Sequence, residues 1–304
     1  MSPGALVVGE ALVDEVVRAT TVSRHPGGSP ANVALGLARL NVVTRLHTAI
    51  GEDADGELIR RHLADSGVVL TPESTTNRPT SRAIATLGQD GSATYRFALN
   101  WEPRNLDDLR NPAIVHTGSL AAFLEPGSDV TRDIVRRARA AGALVSFDPN
   151  VRSSLIADRD HARAQFTALT LASHLTKLSD EDADFLFPGK SIEHVVDRLI
   201  DSGIPVVGIT RGSRGALLAS GEHRAEIAPT RVAVADTVGA GDSFMAALIW
   251  SLTVEDGGWD GGPVTETRLL SVGARAAHLA GITVSRTGAD LPTLADLEAA
   301  TPIA

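Results

Sequence analysis

Residues 236–244 read DTVGAGDSF, and the chain continues MAALIWSL to residue 252. A turn of small residues, with Asp236 and Asp242 at its sides, runs straight into an apolar stretch. Phe244, Leu248 and Leu252, with Met245 and Ile249 beside them, recur at three- and four-residue spacing, which predicts a helix over 241–253. The first amide groups of such a helix have no intrahelical acceptor, and its dipole is positive at that end. Gly239 and Gly241 permit backbone angles that turn successive N–H groups to one concave side. The combination is an anion site that needs no basic side chain, with Asp242 standing beside it. A plain helix cap would also place an acid here, and the turn alone leaves both readings open.

Working outward, short β-branched or apolar runs alternate with helical patterns. Strands are expected at 6–9, 44–50, 113–118, 143–148, 174–179, 205–210 and 215–220, and helices at 30–40, 55–66, 128–141, 159–170, 191–202, 241–253 and 266–281. This alternation predicts an α/β fold with a mostly parallel central sheet and helices on both faces. Ligands of such folds sit beyond the carboxyl ends of the strands, where Glu10, Asp14, Gly118, Asp148, Ser179 and Thr210 fall. Residues 81–87 and 92–99, joined by GQDG, break the rhythm and read as a hairpin; VVRATTV at 16–22 could join it in a small separate sheet. That sheet is either a lid over the crevice or an edge decoration. The whole chain, 1–304, is expected to be one α/β unit with lid segments at about 12–24 and 76–100.

Composition narrows the chemistry. With 43% apolar and 21% charged residues the chain is globular, and its −9 charge without a basic tract argues against nucleic acid or a membrane surface as partner. There are no cysteines, which excludes disulfides, thiolate metal sites and thiol nucleophiles. The first residues lack the basic-then-apolar order of a secretion signal, so a cytoplasmic location is expected. Only Lys177 and Lys190 are lysines, and no histidine pair has metal-binding spacing. PGKS at 188–191 fails as a Walker loop because Asp184 stands where a glycine is needed, and Phe244 takes the last glycine's place in a dinucleotide fingerprint.

DTVGAGDSF, together with HPGGSPANVALGLARLN at 25–41, resembles the C-terminal and N-terminal signatures of the ribokinase-like (PfkB) carbohydrate kinases, in the family's order and over nearly the whole chain. The resemblance implies a ribokinase-like fold and an ATP- and Mg²⁺-dependent sugar kinase. Asp242 would be the catalytic base, with Gly239, Ala240 and Gly241 forming the anion hole. Gly27 and Gly28 would let backbone approach the sugar, and Asn32 and Asp14 would bind its hydroxyls. Thr210, Gly212 and Gly215 in ITRGSRGA match the family's loop against ATP, Lys177 a lysine near the phosphates, and Ala277 and Gly281 an adenine pocket. Many relatives have N-x-x-E where this chain has Ser179 and Asp182; Asp182 would reach Mg²⁺ through water. Asp236 matches an aspartate that in some members lies near a monovalent cation such as K⁺, or it simply fixes the turn.

GEALVD at 9–14, FDPNVR at 147–152, KLSDED at 177–182 and SRTGA at 285–289 are similar to the family's fructokinases, with 2-keto-3-deoxygluconate kinases as near relatives. Asp148, Asn150 and Arg152 lie two apart past a strand and could share one side of the crevice, where Arg152 would meet a sugar carboxylate or the migrating phosphate. A surface ion pair would equally explain Arg152. The implied reaction is phosphorylation of a primary hydroxyl, of fructose first, with a keto-acid sugar or ribose as alternatives. A non-catalytic sugar or nucleotide sensor is the alternative of another class. A lid with an exposed apolar face further suggests a homodimer.

Overall fold

The computed structural model describes residues 4–18, 21–87, 93–255 and 258–299. The first strand, β1 (Ala5–Val8), is buried on both sides. Ala5 and Val7 join one apolar cluster, Leu6 and Val8 another, as a strand inside a sheet covered on both faces requires. It is followed by β2 (Leu12–Arg18), β3 (Thr21–Gly27), α1 (Ser29–Arg39), β4 (Thr44–His47), β5 (Ile50–Gly51), α2 (Ala54–Asp65), β6 (Val69–Leu70) and β7 (Thr75–Thr76). The middle of the chain supplies β8 (Arg82–Leu87), β9 (Ala93–Ala98), β10 (Ile114–Gly118), α3 (Leu120–Phe123), α4 (Gly127–Ala140), β11 (Leu144–Asp148), α5 (Arg159–Leu171) and β12 (Leu175–Ser179). Then come α6 (Asp180–Leu186), α7 (Ile192–Asp201), β13 (Val206–Thr210), β14 (Ala216–Ser220), β15 (His223–Ile227), α8 (Ala240–Thr253), α9 (Glu266–Val284) and α10 (Leu294–Ala299).

Nine strands form the main sheet in the order β15-β14-β13-β12-β11-β10-β1-β4-β6. Neighbours are parallel from β6 through β13, and antiparallel along β13-β14-β15. The order reverses at β1, which has β4 on one side and β10 on the other, so a crevice opens beyond its carboxyl end. Helices α1, α2, α8 and α9 cover one face, and α4, α5, α6 and α7 the other. Helix α8 is apolar all round and buried from Asp242 to Leu252, because it lies between α1, α9 and the sheet instead of at a surface.

A second sheet, β3-β2-β8-β9, stands apart from the first. The hairpin expected from 81–99 is present as the antiparallel pair β8–β9, and its GQDG turn lies outside the described residues. The stretch at 16–22, expected to join that hairpin in a small sheet, contributes to two antiparallel strands, β2 and β3, with residues 19–20 outside the described residues. The run of Val and Thr favours extended backbone and carries no Gly or Pro to mark where one strand ends. Three contacts moor this sheet to the body. Arg24 and Arg82 both pair with the buried Asp55 of α2, the first at 3.6 Å. Asp53, which caps α2 through the amide of Gly56, also accepts from the Thr80 amide at 2.9 Å and hydroxyl at 2.7 Å, where the chain enters β8.

Candidate active site

Helix α8 begins at Gly239, whose φ of +78° is left-handed backbone that a side chain would strain. Gly241, by contrast, is helical. Its missing side chain leaves the space in which the Lys177 ammonium sits, 3.3 Å from where a Cβ would be. The expectation that both glycines use unusual backbone angles therefore holds at Gly239 and is corrected at Gly241. Ala240 is corrected in part as well, since its amide donates to the Thr237 carbonyl at 3.3 Å. The next first-turn amides, of Gly241 and Asp242, have no intrahelical acceptor by the geometry of a helix start.

Asp242 is 6% exposed, and both of its oxygens are held by the opposite helix. Ser29 Oγ donates to Oδ1 at 2.6 Å and Asn32 Nδ2 donates to Oδ2 at 2.7 Å. Residues i and i+3 share a helix face, so α1 presents both donors together. Pro30 in the first turn and the left-handed Gly28, φ +105°, start that helix at this point. Asn32, expected to bind sugar, thus orients the acid through its NH₂, leaving Oδ1 as its remaining polar atom. Ser29 was missed from the sequence; its spacing of three from Asn32 was the available signal.

Asp14 follows the Gly9–Ala11 exit of β1 and lies over Gly27, where an added Cβ would come within 2.1 Å of its Oδ2. A Cβ on Gly28 would lie 2.5 Å from the Glu10 carbonyl. The two glycines are therefore needed for the acid and the strand exit to pack against α1. Burial raises the Asp14 carboxyl above its ordinary value, with Arg152 and His25 pulling the other way. Glu10, unassigned in the sequence reading, is 4% exposed and accepts from the Ala121 amide at 3.1 Å. Burial pushes it up to about 7, opposed by hydrogen bonds from Ser119 and Ala121 and by the charge of Arg152. Arg152 is exposed beside a cavity of about 330 Å³ that Phe123, Leu155 and Ile156 help to line. Of Asp148, Asn150 and Arg152, Arg152 stands near enough to Glu10 and Asp14 for its charge to act on both. β11 ends at Asp148, which is buried, and Asn150 turns the chain with a φ of +36°.

Lys177 is 3% exposed and its Nζ lies 2.7 Å from Oδ2 of the fully buried Asp148. Burial alone would lower the ammonium's pKa; Asp148, with Asp182 and Asp242 adding, carries it above the ordinary lysine value. Asp182, expected to reach Mg²⁺ through water, has another task in the structure. Its Oδ1 accepts from the Val151 amide at 2.6 Å and its Oδ2 from the Ser179 amide at 2.8 Å, while Ser179 Oγ accepts from the Asp182 amide in return. A shorter acid at the third helical position closes a capping box. Asp236 likewise fixes backbone. Its oxygens accept from the amides of Val238 at 3.1 Å and Gly288 at 2.9 Å, tying the turn to the loop after α9 and lowering its pKa.

Thr210 ends β13, with Oγ1 3.3 Å from the Leu178 carbonyl, and leads into the turn of Gly212, φ +55°, and Gly215, φ +81°. A Cβ on Gly215 would meet the Ile227 carbonyl at 2.0 Å, so only glycine lets β14 begin there. On α9, Gly281 packs against Thr230, 2.8 Å from a would-be Cβ, and Ala277 is half-buried against the core. Helix α9, which carries both, packs on α8, β14 and β15.

The chain is similar to known proteins over most of its length. The chain is 31% identical over 263 residues to a fructokinase of Rhizobium leguminosarum bv. trifolii, covering 83% of this chain and 80% of the relative. The crystal structure of a fructokinase from Vibrio cholerae O395 with fructose, ADP and calcium superposes with a TM-score of 0.83 at 26% identity, covering 98% of this chain and 99% of that one. A double mutant of fructokinase from the same source, with fructose, ADP and potassium, gives 0.82 at 25% identity over 98% of each chain. The model of the pfkB family carbohydrate kinases matches residues 6–296. Taken with the glycine turn, its clamped acid and the separate four-stranded sheet, these matches mean that the chain belongs to the pfkB family of carbohydrate kinases and has the ribokinase-like fold.

Proposed function

We propose that this kinase transfers the γ-phosphoryl group of ATP to the 6-hydroxyl of D-fructose. What carries the reading is the Asp242 carboxylate, clamped by Ser29 and Asn32 in the first turn behind Gly239. The names of its relatives supply the sugar. The sugar would lie beyond β1, among Asp14, Gly27, Gly28 and the carbonyl of Asn32, with the β3-β2-β8-β9 sheet as lid excluding water. ATP would lie along Thr210, Gly212 and Gly215, its adenine toward Ala277 and Gly281. Asp242 takes the hydroxyl proton as that oxygen bonds to the γ-phosphorus and the bond to the β-phosphate oxygen breaks, releasing ADP. The amides of Gly239 and Gly241, with Lys177 behind them, would meet the charge on the transferring group.

Among the described residues, no three Asp, Glu or His side chains gather into a metal cage. A divalent ion such as Mg²⁺, held mainly by phosphate oxygens and water, fits that arrangement. Asp236 and the Gly288 loop would border K⁺, and turnover in K⁺ against Na⁺ tests this. The chain would act as one kinase unit in the cytoplasm; no helix among the described residues is long and apolar enough to cross a membrane. The outward lid face carries Tyr95, 65% exposed, and suits a second copy, which light scattering would detect as a dimer.

Asp242→Asn should fold and bind ATP normally yet lose about a thousandfold or more in kcat; near-normal turnover would remove the mechanism. A sugar panel read by ADP release tests the substrate. The cation of Arg152, near Asp14, favours 2-keto-3-deoxygluconate as the second reading, and faster turnover of that acid than of fructose would install it. Sugar binding without ADP release would instead indicate a sensor.

A further inference from the structure

On the sheet face turned to α8, strands β10, β11 and β12 carry polar side chains in an otherwise apolar layer: His116, Ser146, Asp148 and Lys177. All four are buried. Nothing structural calls for an ion pair here, since apolar residues of similar volume would hold the layer as well or better. The pair is nonetheless well built. Gly241 leaves room for the ammonium in the first turn of α8, where a Cβ would lie 3.3 Å from Lys177 Nζ. Only Oδ2 of Asp148 meets the lysine; Oδ1 is buried without a hydrogen-bond partner, a cost the fold alone does not explain.

We infer that Asp148 is a positioning residue for phosphoryl transfer: it keeps the Lys177 ammonium charged and fixed against the Gly241 turn, so that a cation stands directly behind the anion hole. This rests on the kinase reading proposed above. An ammonium sealed from water and deprived of its carboxylate would shed its proton, because burial penalises the charged form. The charged and titratable groups around it are Asp148 on β11, Asp182 on α6, Asp242 on α8 and His116 on β10. Burial first, and then the charge of Lys177, lowers His116 to about 3, so it is neutral and adds nothing at neutral pH. The remaining carboxylates, Asp182 and Asp242, are each held by their own donors, which leaves Asp148 as the one in contact.

Because Lys177 and Lys190 are the only lysines, selective ¹³C labelling gives two side-chain signals, and Lys190 is exposed. The experiment combines that titration with a double-mutant cycle in the full chain, using whichever sugar the parent phosphorylates. Asp148→Asn is expected to lower kcat about a hundredfold at pH 8 with the sugar KM little changed. Its kcat should recover as the pH falls, with a midpoint matching the titration of the Lys177 signal. Lys177→Met should lose as much, and adding Asp148→Asn to it should change kcat less than threefold. Multiplying losses, or a pH profile for Asp148→Asn parallel to the parent's, would overturn the assignment. If Asp148→Asn does not fold, the comparison of Lys177→Met with the double variant decides, since neither buries an unpaired charge once Asp148 protonates. A parent that turns over another sugar would sink the fructose reading alone and leave the coupling ratios readable.

Discussion

Glu10 shows how one side chain at the strand exit couples the site to pH. Its folded value of about 7 lies above the ordinary 4.5, so the folded state holds the proton more tightly than the unfolded chain between those values. Stability from this residue is therefore greatest below pH 4.5 and is lost as the pH rises through 7, by about 3 kcal/mol in all. Glu10→Gln keeps an acceptor for the Ala121 amide and cannot ionise. Urea unfolding at pH 5 and pH 8 should show the parent losing about that much more stability than the variant across the interval. Equal losses would mean that Glu10 ionises in water-like surroundings. His116 contributes in the opposite sense, its stability being lost as pH falls from 6.5 toward 3, and taking the difference between parent and variant removes it.

At the scale of elements, the catalytic turn is a joint product of α8 and α1. α8 supplies the acid and the amides, α1 the two donors that set the acid's plane, and their long packed contact holds the parts in register. Asn32→Ala should cost about tenfold to a hundredfold in kcat, the worth of a hydrogen bond to a charged group, while circular dichroism and ATP affinity stay close to the parent's. Unchanged kcat would show that Ser29 and helix packing suffice to hold Asp242.

At the scale of the whole molecule, the second sheet touches the body through few polar contacts, and Asp55 of α2 gathers two of them. Asp55→Asn should release Arg24 and Arg82 from α2, leaving them on Glu15, and, if the sheet is the lid proposed above, raise the sugar KM severalfold and increase ATP hydrolysis without sugar as water enters. If sugar-independent ADP release stays at the parent's level, the sheet does not guard the reaction.

Much of this was legible in the sequence because it depends on local chemistry. Each helix expected from periodicity is present within a few residues, and the DTVGAGDSF turn does start a buried helix with Asp242 in its first turn. Short elements such as α3 and α6 were not seen, since four to seven residues carry too little periodicity to distinguish from loop. What only the tertiary structure decided are pairings between distant parts of the chain: Ser29 and Asn32 with Asp242, Lys177 with Asp148, and Asp55 with the second sheet. A residue's type restricts what it can bind, but which partner it meets depends on how the sheet is ordered and which helices cross it. That is why only the fold shows that Asp182 and Asp236, acids the resemblance sets near metal ions, also hold backbone amides.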